Sequence, residues 1–432
     1  MSKAVASAWR SLVGSGPWGR GAAFGVLDIG SSKLCCYIAR PRPGRGVQLI
    51  GRGYQLAEGI KAGEIVDAEA AETAILATLH EAEQQAGETL REIVLAVSGG
   101  RPQSTYVRVA SQLHGRAVAE SDIRLLLDRA RRAVSTPERE VLHVVPLEVT
   151  IDGGRPLKDP CGLSGQRLEI VAHLVMATGT ALRNLLACLE RCHIEVKGIV
   201  CASYAAGLAC LAEDELERGC LVIELGGGIT GLACFAGGRL TLVEQVPYGG
   251  DHVTGDLAYG LSTSRQHAER IKNLFGSVQF RACDDNTRIE VPLLGDHADL
   301  PTGEVPRTRV TEIVRARVEE TLLLAQKRLQ EHDELLAARP PRSIVLTGGG
   351  SQLEGIEELV QEMFRLPARC GRPGALQAPP GRMEDTPCCA AAAGAVGLTL
   401  GDDGGLGWSE QIEVSILSSR LARLGQWFKE NF

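Results

Sequence analysis

Aromatic residues are scarce in this sequence, and long apolar runs are missing. Phe, Trp and Tyr together supply 4% of the 432 residues. No stretch reaches the roughly 18–20 uninterrupted apolar residues of a membrane-spanning helix. The N-terminal region also lacks the continuous apolar segment of a signal peptide. From these absences we predict a protein that stays in the cytoplasm and has no membrane-spanning helix.

Metal-ligand spacing and a basic composition are missing as well. The 13 cysteines are scattered and none belongs to a CxxC pair, so we predict reduced, mostly buried thiols instead of a zinc site or a disulfide framework. The net charge is −7 and the isoelectric point is about 5.8. Nothing here predicts a nucleic-acid partner. The length predicts two to four domains.

Glycine is abundant, and its most informative run is Leu221–Gly238. Two apolar strands flank the turn Gly226–Gly228, where the missing Cβ atoms let the backbone approach a ligand closely. An ordinary hairpin turn is the alternative for one such run. However, Gly25–Ile38 repeats the pattern upstream, and Ser343–Phe364 combines a strand, three glycines and an amphipathic helix. No helix follows either hairpin turn, which argues against a P-loop and a Rossmann fingerprint.

Hydrophobic periodicity predicts further helices and strands between these glycine turns. Ser121 is the predicted N-cap of one helix. The predicted helices are Ala68–Gln85, Ser121–Ala133, Thr180–Cys192, Ile199–Leu211 and Val310–Leu329, and the predicted strands include Ile93–Val97, Leu142–Ile151 and Leu168–Met176.

Two hairpin turns in separate halves, followed by a late glycine turn and helix, resemble the superfamily of actin, the heat-shock chaperones and the sugar kinases. Within it, His143–Gly165 and Gly260–Gly276 resemble the bacterial cell-division protein family FtsA, and the resemblance runs from Gly25 to Phe432. It implies an α/β, actin-like, two-lobed nucleotide-binding fold. A small α+β subdomain is inserted in the first lobe, and a C-terminal amphipathic helix ends the chain.

The resemblance also implies how the chain is divided. The predicted parts are a flexible tail (1–23), the first lobe (24–96, 175–218 and 384–400), its inserted subdomain (97–174), the second lobe (219–262 and 307–383), a smaller subdomain of that lobe (263–306), a linker (401–416) and a membrane-targeting helix (417–432).

ATP and Mg²⁺ are the cofactors that the resemblance implies, with Mg²⁺ held through water by Asp28 and Glu224. For Lys33, an exposed lysine at a strand end is the alternative, and for Glu269 and Lys272 an exposed helical salt bridge is the alternative. The implied nucleotide-binding residues are Gly30, Ser31, Ser32, Lys33, Gly226, Gly227, Gly228, Thr230, Gly250, Glu269, Lys272, Gly348, Gly349 and Gly350.

The second hairpin departs from the superfamily pattern DxGGGTxD at two positions. Glu224 replaces the first Asp, and Gly231 replaces the second. Glu keeps the charge but moves the carboxylate by roughly an ångström, and misplacement on that scale can cost about 10²-fold in rate. In addition, Cys201–Ala209 contains no acid where hydrolysing relatives place a water-orienting Glu. We therefore predict at most a weak ATPase.

The last 16 residues have the pattern of a short basic amphipathic helix. Apolar and basic residues fall on opposite sides, which suits an anionic membrane surface. Docking of this helix on its own protein is the alternative. The predicted membrane-facing residues are Leu417, Leu421, Leu424, Trp427 and Phe428.

The resemblance implies partners as well. FtsA-like proteins bind the C-terminal peptide of the tubulin-like protein FtsZ, and Arg309 and Arg317 on the long predicted helix are the candidate contacts; a solvated basic face is the alternative. Self-association into filaments, other division proteins and a peripheral location on the cytoplasmic face of the inner membrane at the division site are also implied. The alternative functions are a pilus-assembly-type actin-like ATPase and a sugar-kinase-like enzyme of the same fold.

Overall fold

The computed structural model describes residues 22–42, 46–282, 284–292, 302–374 and 386–400. Nearly all of the predicted N-terminal tail, the linker and the C-terminal amphipathic helix, with its five membrane-facing residues, lie outside the described residues.

The described chain alternates strands and helices. The strands are Phe24–Ile29 (β1), Lys33–Arg42 (β2), Gly46–Leu56 (β3), Ile60–Lys61 (β4), Glu64–Ile65 (β5), Glu92–Val97 (β6), Gln103–Gln112 (β7), Arg139–Ile151 (β8), Arg167–Thr178 (β9), Glu195–Cys201 (β10), Cys220–Leu225 (β11), Thr230–Ala236 (β12), Arg239–Val246 (β13), Arg288–Pro292 (β14), Thr302–Pro306 (β15), Ser343–Thr347 (β16) and Ala368–Cys370 (β17). The α-helices are Ala68–Ala86 (α1), Glu120–Val134 (α2), Gly179–Arg191 (α3), Ala202–Cys210 (α4), Glu213–Arg218 (α5), Gly250–Gly260 (α6), Arg265–Phe275 (α7), Arg307–Gln330 (α8), Asp333–Ala338 (α9), Ile356–Phe364 (α10) and Ala390–Leu400 (α11).

Two five-stranded sheets form the centres of two lobes. The first has the strand order β10-β6-β1-β2-β3, and the second has β13-β12-β11-β16-β17. In each, a central strand pairs antiparallel with the next strand of its hairpin and parallel with a later strand (β1 with β2 and β6, β11 with β12 and β16). All six residues of β1 are buried because helices cover both faces of its sheet. The two hairpins predicted from glycine therefore occupy equivalent places.

The inserted subdomain is a three-stranded antiparallel sheet, β7-β9-β8, with α2 on one face. Sequence periodicity did not identify β7, because its alternation of residues is irregular. The predicted helix here is confirmed, but the prediction of Ser121 as its N-cap is wrong. The N-cap is Ala119, whose backbone N–H donates to the Asp122 carboxylate at 2.9 Å.

Two other segments also differ from their predictions. The predicted helix Ile199–Leu211 is a strand through Cys201 and a helix only from Ala202. Its first residues pair with β6 in parallel, and this tertiary pairing overrides the apolar pattern. The polar stretch before Pro306 contains the hairpin of β14 and β15, which was not predicted.

The inserted subdomain also contacts the second lobe. Ser104 Oγ and Tyr106 Oη donate to backbone carbonyls of β13 at 3.0 and 2.8 Å. His173 Nδ1 lies 3.1 Å from the Leu240 carbonyl oxygen, and burial lowers the pKa of this histidine to about 4. The neutral ring thus fixes the subdomain to the edge strand β13.

Candidate functional site

The turns of the two hairpins lie against each other between the lobes. In the first turn Gly30 N–H donates to the Lys33 carbonyl at 3.2 Å, and in the second Gly226 N–H donates to the Ile229 carbonyl at 3.0 Å. A Cβ on Gly227 would lie 1.7 Å from Ser32 Oγ. A side chain at 227 would have to displace Ser32, so the glycine permits the close approach of the two hairpins.

Asp28 stands at the end of β1, just before the first turn. Its side chain is buried, and Oδ1 has no hydrogen-bond partner among the described residues. Burial and the nearby Glu224 carboxylate raise the pKa of Asp28 to about 7. Ser31 Oγ, in the adjoining turn, is likewise buried and unpartnered in the described part of the chain. Unpaired buried oxygens are costly, so their presence indicates that a bound group completes the site.

Glu224 stands at the matching place in the second hairpin. Ser203 Oγ donates to its Oε2 at 3.0 Å, and burial raises the pKa of Glu224 to about 7. A Cβ on Gly231 would lie 1.9 Å from Ser203 Oγ and 3.2 Å from Glu224 Oε2. Ser203, and at a longer distance the Glu224 carboxylate, therefore occupy the space that a side chain at 231 would need.

Ser203 is the residue that sequence reasoning missed. It lies at the start of α4, inside the stretch predicted to lack a water-orienting acid. That stretch indeed contains no acid, but it supplies the hydroxyl that holds Glu224. The available signal was a lone polar side chain in an apolar helix.

Lys33 is not an exposed strand-end residue, so that alternative is wrong. Its Nζ donates to Cys389 Sγ at 3.3 Å and lies 5.7 Å from the centroid of the Tyr54 ring. The ammonium is thus held beside the first turn by a thiol and an aromatic ring.

Glu269 and Lys272 pair with each other at 2.7 Å, as the salt-bridge alternative expected. The Lys272 side chain is only 13% exposed, however, and its Nζ also donates to Thr254 Oγ1 and the Gly250 carbonyl at 2.9 and 3.2 Å. Gly250 N–H in turn donates to the Gly226 carbonyl at 2.9 Å. This pair is therefore connected directly to the second turn.

The third glycine turn, Gly348–Gly350, packs against the end of β11. Gly348 has a φ of 80°, and a Cβ there would lie 2.6 Å from the Leu225 carbonyl oxygen. A Cβ on Gly349 would meet nothing within 4 Å. The turn thus presents bare backbone to open space at Gly349.

One predicted binding residue does not fit its assignment. Thr230 is fully buried, and its hydroxyl donates to the Tyr248 carbonyl at 2.8 Å. Its role is to attach β12 to the segment before α6, so the prediction that it contacts a nucleotide is corrected.

The two predicted partner-binding arginines differ in their surroundings. Arg317 contacts both carboxylate oxygens of Asp256 and also pairs with Glu320. Arg309 is half exposed and, within the described chain, its ion pair is with Glu312, 3.0 Å away. Arg309 is therefore the more accessible of the two.

A cleft of about 710 Å³ lies away from the three turns, on the outer side of the first lobe. Leu76, His80, Leu90, Cys192 and Ile194 are among its lining residues, and none of the predicted site residues lines it.

Among the described residues, no group of three or more His, Cys, Asp or Glu side chains forms a metal site. The described cysteines are all free, and most are buried.

The set of groups at the turns can do limited chemistry. Two facing carboxyls with raised pKa, turn N–H groups, and two nearby lysines can hold a hydrated divalent cation and a polyphosphate. Asp28 and Glu224 fit Mg²⁺ in this way, because Mg²⁺ keeps most of its waters and needs one or two carboxylates. The neighbouring stretch Cys201–Ala209 contains no acid.

Comparisons with known proteins agree on the family. The family model described as "Cell division protein FtsA" matches residues 221–394, and that described as "SHS2 domain inserted in FTSA" matches residues 99–176. Cell division protein FtsA of Agrobacterium fabrum is 38% identical over 435 residues, with 94% of each chain covered. The protein of the same name from Escherichia coli K12 is 28% identical, with 94% of this chain and 97% of that protein covered.

Solved structures show the same architecture at low identity. The chain of a "PilM-PilN type IV pilus biogenesis complex" aligns with a TM-score of 0.61 and 18% identity, over 88% of this chain and 99% of that one. MreB5 of Spiroplasma citri, bound to ADP, aligns with a TM-score of 0.52 and 15% identity, over 87% and 95% of the two chains. The predicted actin-like fold with an inserted subdomain is thus confirmed. In the described part of the chain, no helix combines the length and apolar character needed to cross a bilayer.

Proposed function

The chain belongs to the FtsA family of cell-division proteins, and from that premise we propose that it is an ATP-binding adaptor that attaches FtsZ filaments to the membrane at the division site. It binds ATP and Mg²⁺ between its lobes, hydrolyses ATP slowly and associates into filaments. The observation that carries the nucleotide part is the pair of facing glycine turns beside Asp28, whose Oδ1 has no hydrogen-bond partner in the part of the chain that the structure describes.

Each part of the site has one task in this proposal. Asp28 and Glu224 position the waters around Mg²⁺, which supplies neutralising charge to the phosphates when bound. The backbone N–H groups of both turns hold the phosphates. The pair of Glu269 and Lys272 faces the ribose, and the open backbone at Gly349 accepts the adenine. Lys33 adds positive charge beside the first turn.

Slow turnover follows from the placement of Glu224. Ser203 holds its carboxylate over Gly231, away from the position that a shorter Asp would take. Dedicated enzymes turn over at roughly 1–10³ s⁻¹. We expect this protein to bind a fluorescent ATP analogue in the presence of Mg²⁺ and to release phosphate below about 1 s⁻¹. Turnover within the range of dedicated enzymes would contradict the adaptor function and favour the sugar-kinase-like alternative.

Gly349 offers a variant that separates binding from folding. Gly349→Ala adds a methyl group in open space, so stability to denaturant should change by less than about 0.5 kcal/mol. The same methyl group stands where adenine would pack, and we expect the affinity for the ATP analogue to fall several-fold. Unchanged affinity with unchanged stability would show that the adenine lies elsewhere.

The adaptor part of the proposal rests on the family and the C-terminal sequence. Trp427 and Phe428 would insert into an anionic membrane surface, with Arg420, Arg423 and Lys429 on the polar side of the same helix. A single short helix binds modestly, and a filament that presents many helices binds firmly. The inserted subdomain is the proposed contact between successive subunits. In heterologous head-to-tail assembly such a contact generates an open filament.

Membrane attachment is tested by charge placed on either side of this helix. Trp427→Glu with Phe428→Glu should abolish co-sedimentation with anionic liposomes and leave binding of the ATP analogue intact. Ser419→Glu with Gln426→Glu adds the same charge on the polar side and should reduce co-sedimentation only slightly. Equal pelleting of the first double variant and the parent would remove the helix as the anchor.

The partner site is proposed on α8. The FtsZ C-terminal peptide would bind there with its acidic side chains on Arg309, which has Glu312 to displace. Arg317 would have to leave Asp256 first, so it contributes less. The pilus-assembly alternative has support only from fold similarity, because the PilM likeness is 18% in sequence.

A further inference from the structure

A cluster of thiols surrounds the buried amino group of Lys33. Cys389 Sγ accepts from Lys33 Nζ at 3.3 Å and from Thr386 Oγ1 at 3.5 Å, and it lies 3.9 Å from Cys388 Sγ. Cys35, two residues beyond Lys33 on β2, contributes a third thiol, which lies in the same cluster of buried residues as Cys389. Nothing in the nucleotide function proposed above requires sulfur at these positions.

This environment stabilises Cys389 as a thiolate. Hydrogen bonds from the Cys35 and Cys388 thiols lower the pKa of Cys389, and the Lys33 ammonium acts in the same direction. Cys36, the next residue on the strand, points to the other face, where burial raises the pKa of its thiol. Two adjacent cysteines on one strand therefore have different surroundings, and of the two only Cys35 belongs to the buried cluster that contains Cys389.

The cluster is buried but has partly exposed neighbours. Cys389 itself is 0% exposed, whereas Lys33, Tyr54 and Cys388 are each only partly buried. Thiolates, not thiols, react with peroxides.

We propose that Cys389 is a peroxide-sensitive site that forms a disulfide with Cys35 and thereby releases Lys33. The Cys389 sulfur attacks one peroxide oxygen, the O–O bond breaks, and the departing hydroxide takes a proton to become water. Cys35 sulfur then attacks the sulfenic acid at Cys389, and the S–O bond breaks as a second water leaves with the Cys35 proton. Two thiols are oxidised by two electrons and one peroxide is reduced to two waters.

Cys388 is a poor disulfide partner for Cys389, because the two residues are adjacent in the chain. Disulfides usually join residues with Cα atoms about 4.4–6.8 Å apart. Neighbours in the chain such as Cys388 and Cys389 are held at about 3.8 Å. Moreover, these two belong to a 3₁₀ turn, Pro387–Cys389, that leads directly into α11.

Oxidation changes the charge beside the first turn, a consequence that rests on the proposed nucleotide function. Asp28 and Cys35 are direct partners across the β1–β2 pair, so the thiolate lies close to the phosphate site. The disulfide removes one negative charge there and frees the Lys33 ammonium. We expect affinity for the ATP analogue to rise about threefold to tenfold on oxidation, because a polyphosphate gains an unpaired cation.

The disulfide is mapped first, without any nucleotide. The full-length protein is treated with hydrogen peroxide, blocked with an alkylating agent and analysed by mass spectrometry of non-reduced peptides. The cross-link between the peptides carrying Cys35 and Cys389 should survive in Cys36→Ser and Cys388→Ser and be absent in Cys35→Ser and Cys389→Ser. Circular dichroism establishes that each variant is folded. A cross-link that persists without Cys35, or no cross-link at all, overturns the proposal.

Lys33 is tested through the rate of the reaction. Lys33→Met should slow peroxide oxidation of Cys389 about tenfold or more, and Lys33→Arg should retain most of the rate, because a cation maintains the thiolate. Equal rates in the parent and Lys33→Met would overturn the role of the lysine.

Affinity for the ATP analogue is then measured before and after oxidation. If the cross-link forms and no analogue binds in either state, the proposed nucleotide function fails while the thiol site stands. If affinity stays constant or falls on oxidation, the release of Lys33 is wrong.

Discussion

Gly394→Ala is expected to destabilise the protein by about 2–4 kcal/mol, the range of severe overpacking in a core. Gly394 lies in α11, and a Cβ there would stand 1.8 Å from the carbonyl oxygen of Ala205 in α4. A backbone oxygen cannot rotate away as a side chain can, so one of the two helices must shift. The measurement is the free energy of unfolding from denaturant titration.

The same helix contains the matched control. Gly397 is three residues further on, and a Cβ there would meet no atom of the described residues within 4 Å. Gly397→Ala should therefore raise stability by about 0.5–1 kcal/mol through helix propensity alone. If both variants changed stability in the same direction and to the same extent, the close packing of α11 on α4 would be wrong. Because α4 also carries Ser203, Gly394→Ala should weaken binding of the ATP analogue as well.

Local patterns were enough to predict the elements that build the proposed nucleotide site. The three glycine turns were predicted from the sequence, and at Gly348 the positive φ and the close Leu225 backbone explain why glycine is required. The long helices also follow, since their apolar residues recur with helical period. For α1 the predicted range differs from the observed one by a single residue at its end.

Side-chain arrangements across the lobes could not be predicted in the same way. The hydrogen bond from Ser203 to Glu224 joins α4 to β11, and both side chains use space that is left by the missing side chain at Gly231. The surroundings of Lys33 could not be predicted because its partner Cys389 is 356 residues away. Contacts of this kind depend on the register of sheets and the packing of lobes, neither of which has a local signal.

The contact between the inserted subdomain and β13 has a consequence for the whole molecule. Ser104, Tyr106 and His173 attach the subdomain to the edge strand of the second lobe. The same strand leads into Gly249, where a Cβ would stand 2.5 Å from the carbonyl oxygens of Gly226 and Gly227. Strand β13 thus connects the proposed filament contact to the second glycine turn, Gly226–Gly228, which is the proposed phosphate-binding turn. A shift of the second turn on nucleotide binding would be transmitted to the subdomain through β13.

Asp28→Asn is expected to stabilise the nucleotide-free protein at pH 8 and to weaken Mg²⁺–ATP binding. The pKa of Asp28 is raised from its ordinary value of 3.8 to about 7. The folded state therefore retains a proton that the unfolded chain has released between about pH 4 and pH 7, and stability falls as the pH rises through that range. A tenfold difference in proton affinity between the two states corresponds to about 1.4 kcal/mol, so the loss is on the order of 4 kcal/mol. Asn cannot ionise, so the Asp28→Asn variant avoids this loss of stability.

Denaturant titrations at pH 5 and pH 8 without Mg²⁺ test this, with a second buried aspartate as the control. Hydrogen bonding to Arg116 lowers the pKa of Asp122, so its ionised form stabilises the fold above its ordinary pKa. Asp122→Asn should therefore destabilise the protein at pH 8, with the opposite sign to Asp28→Asn. The stability gained by Asp28→Asn should shrink towards pH 5. The affinity for the ATP analogue in the presence of Mg²⁺ should fall at least about tenfold, because the carboxylate is lost. A loss of stability at both pH values, or undiminished binding, would show that Asp28 is a structural residue. The combination of higher stability and lower affinity is expected only where a buried charge is kept for a ligand.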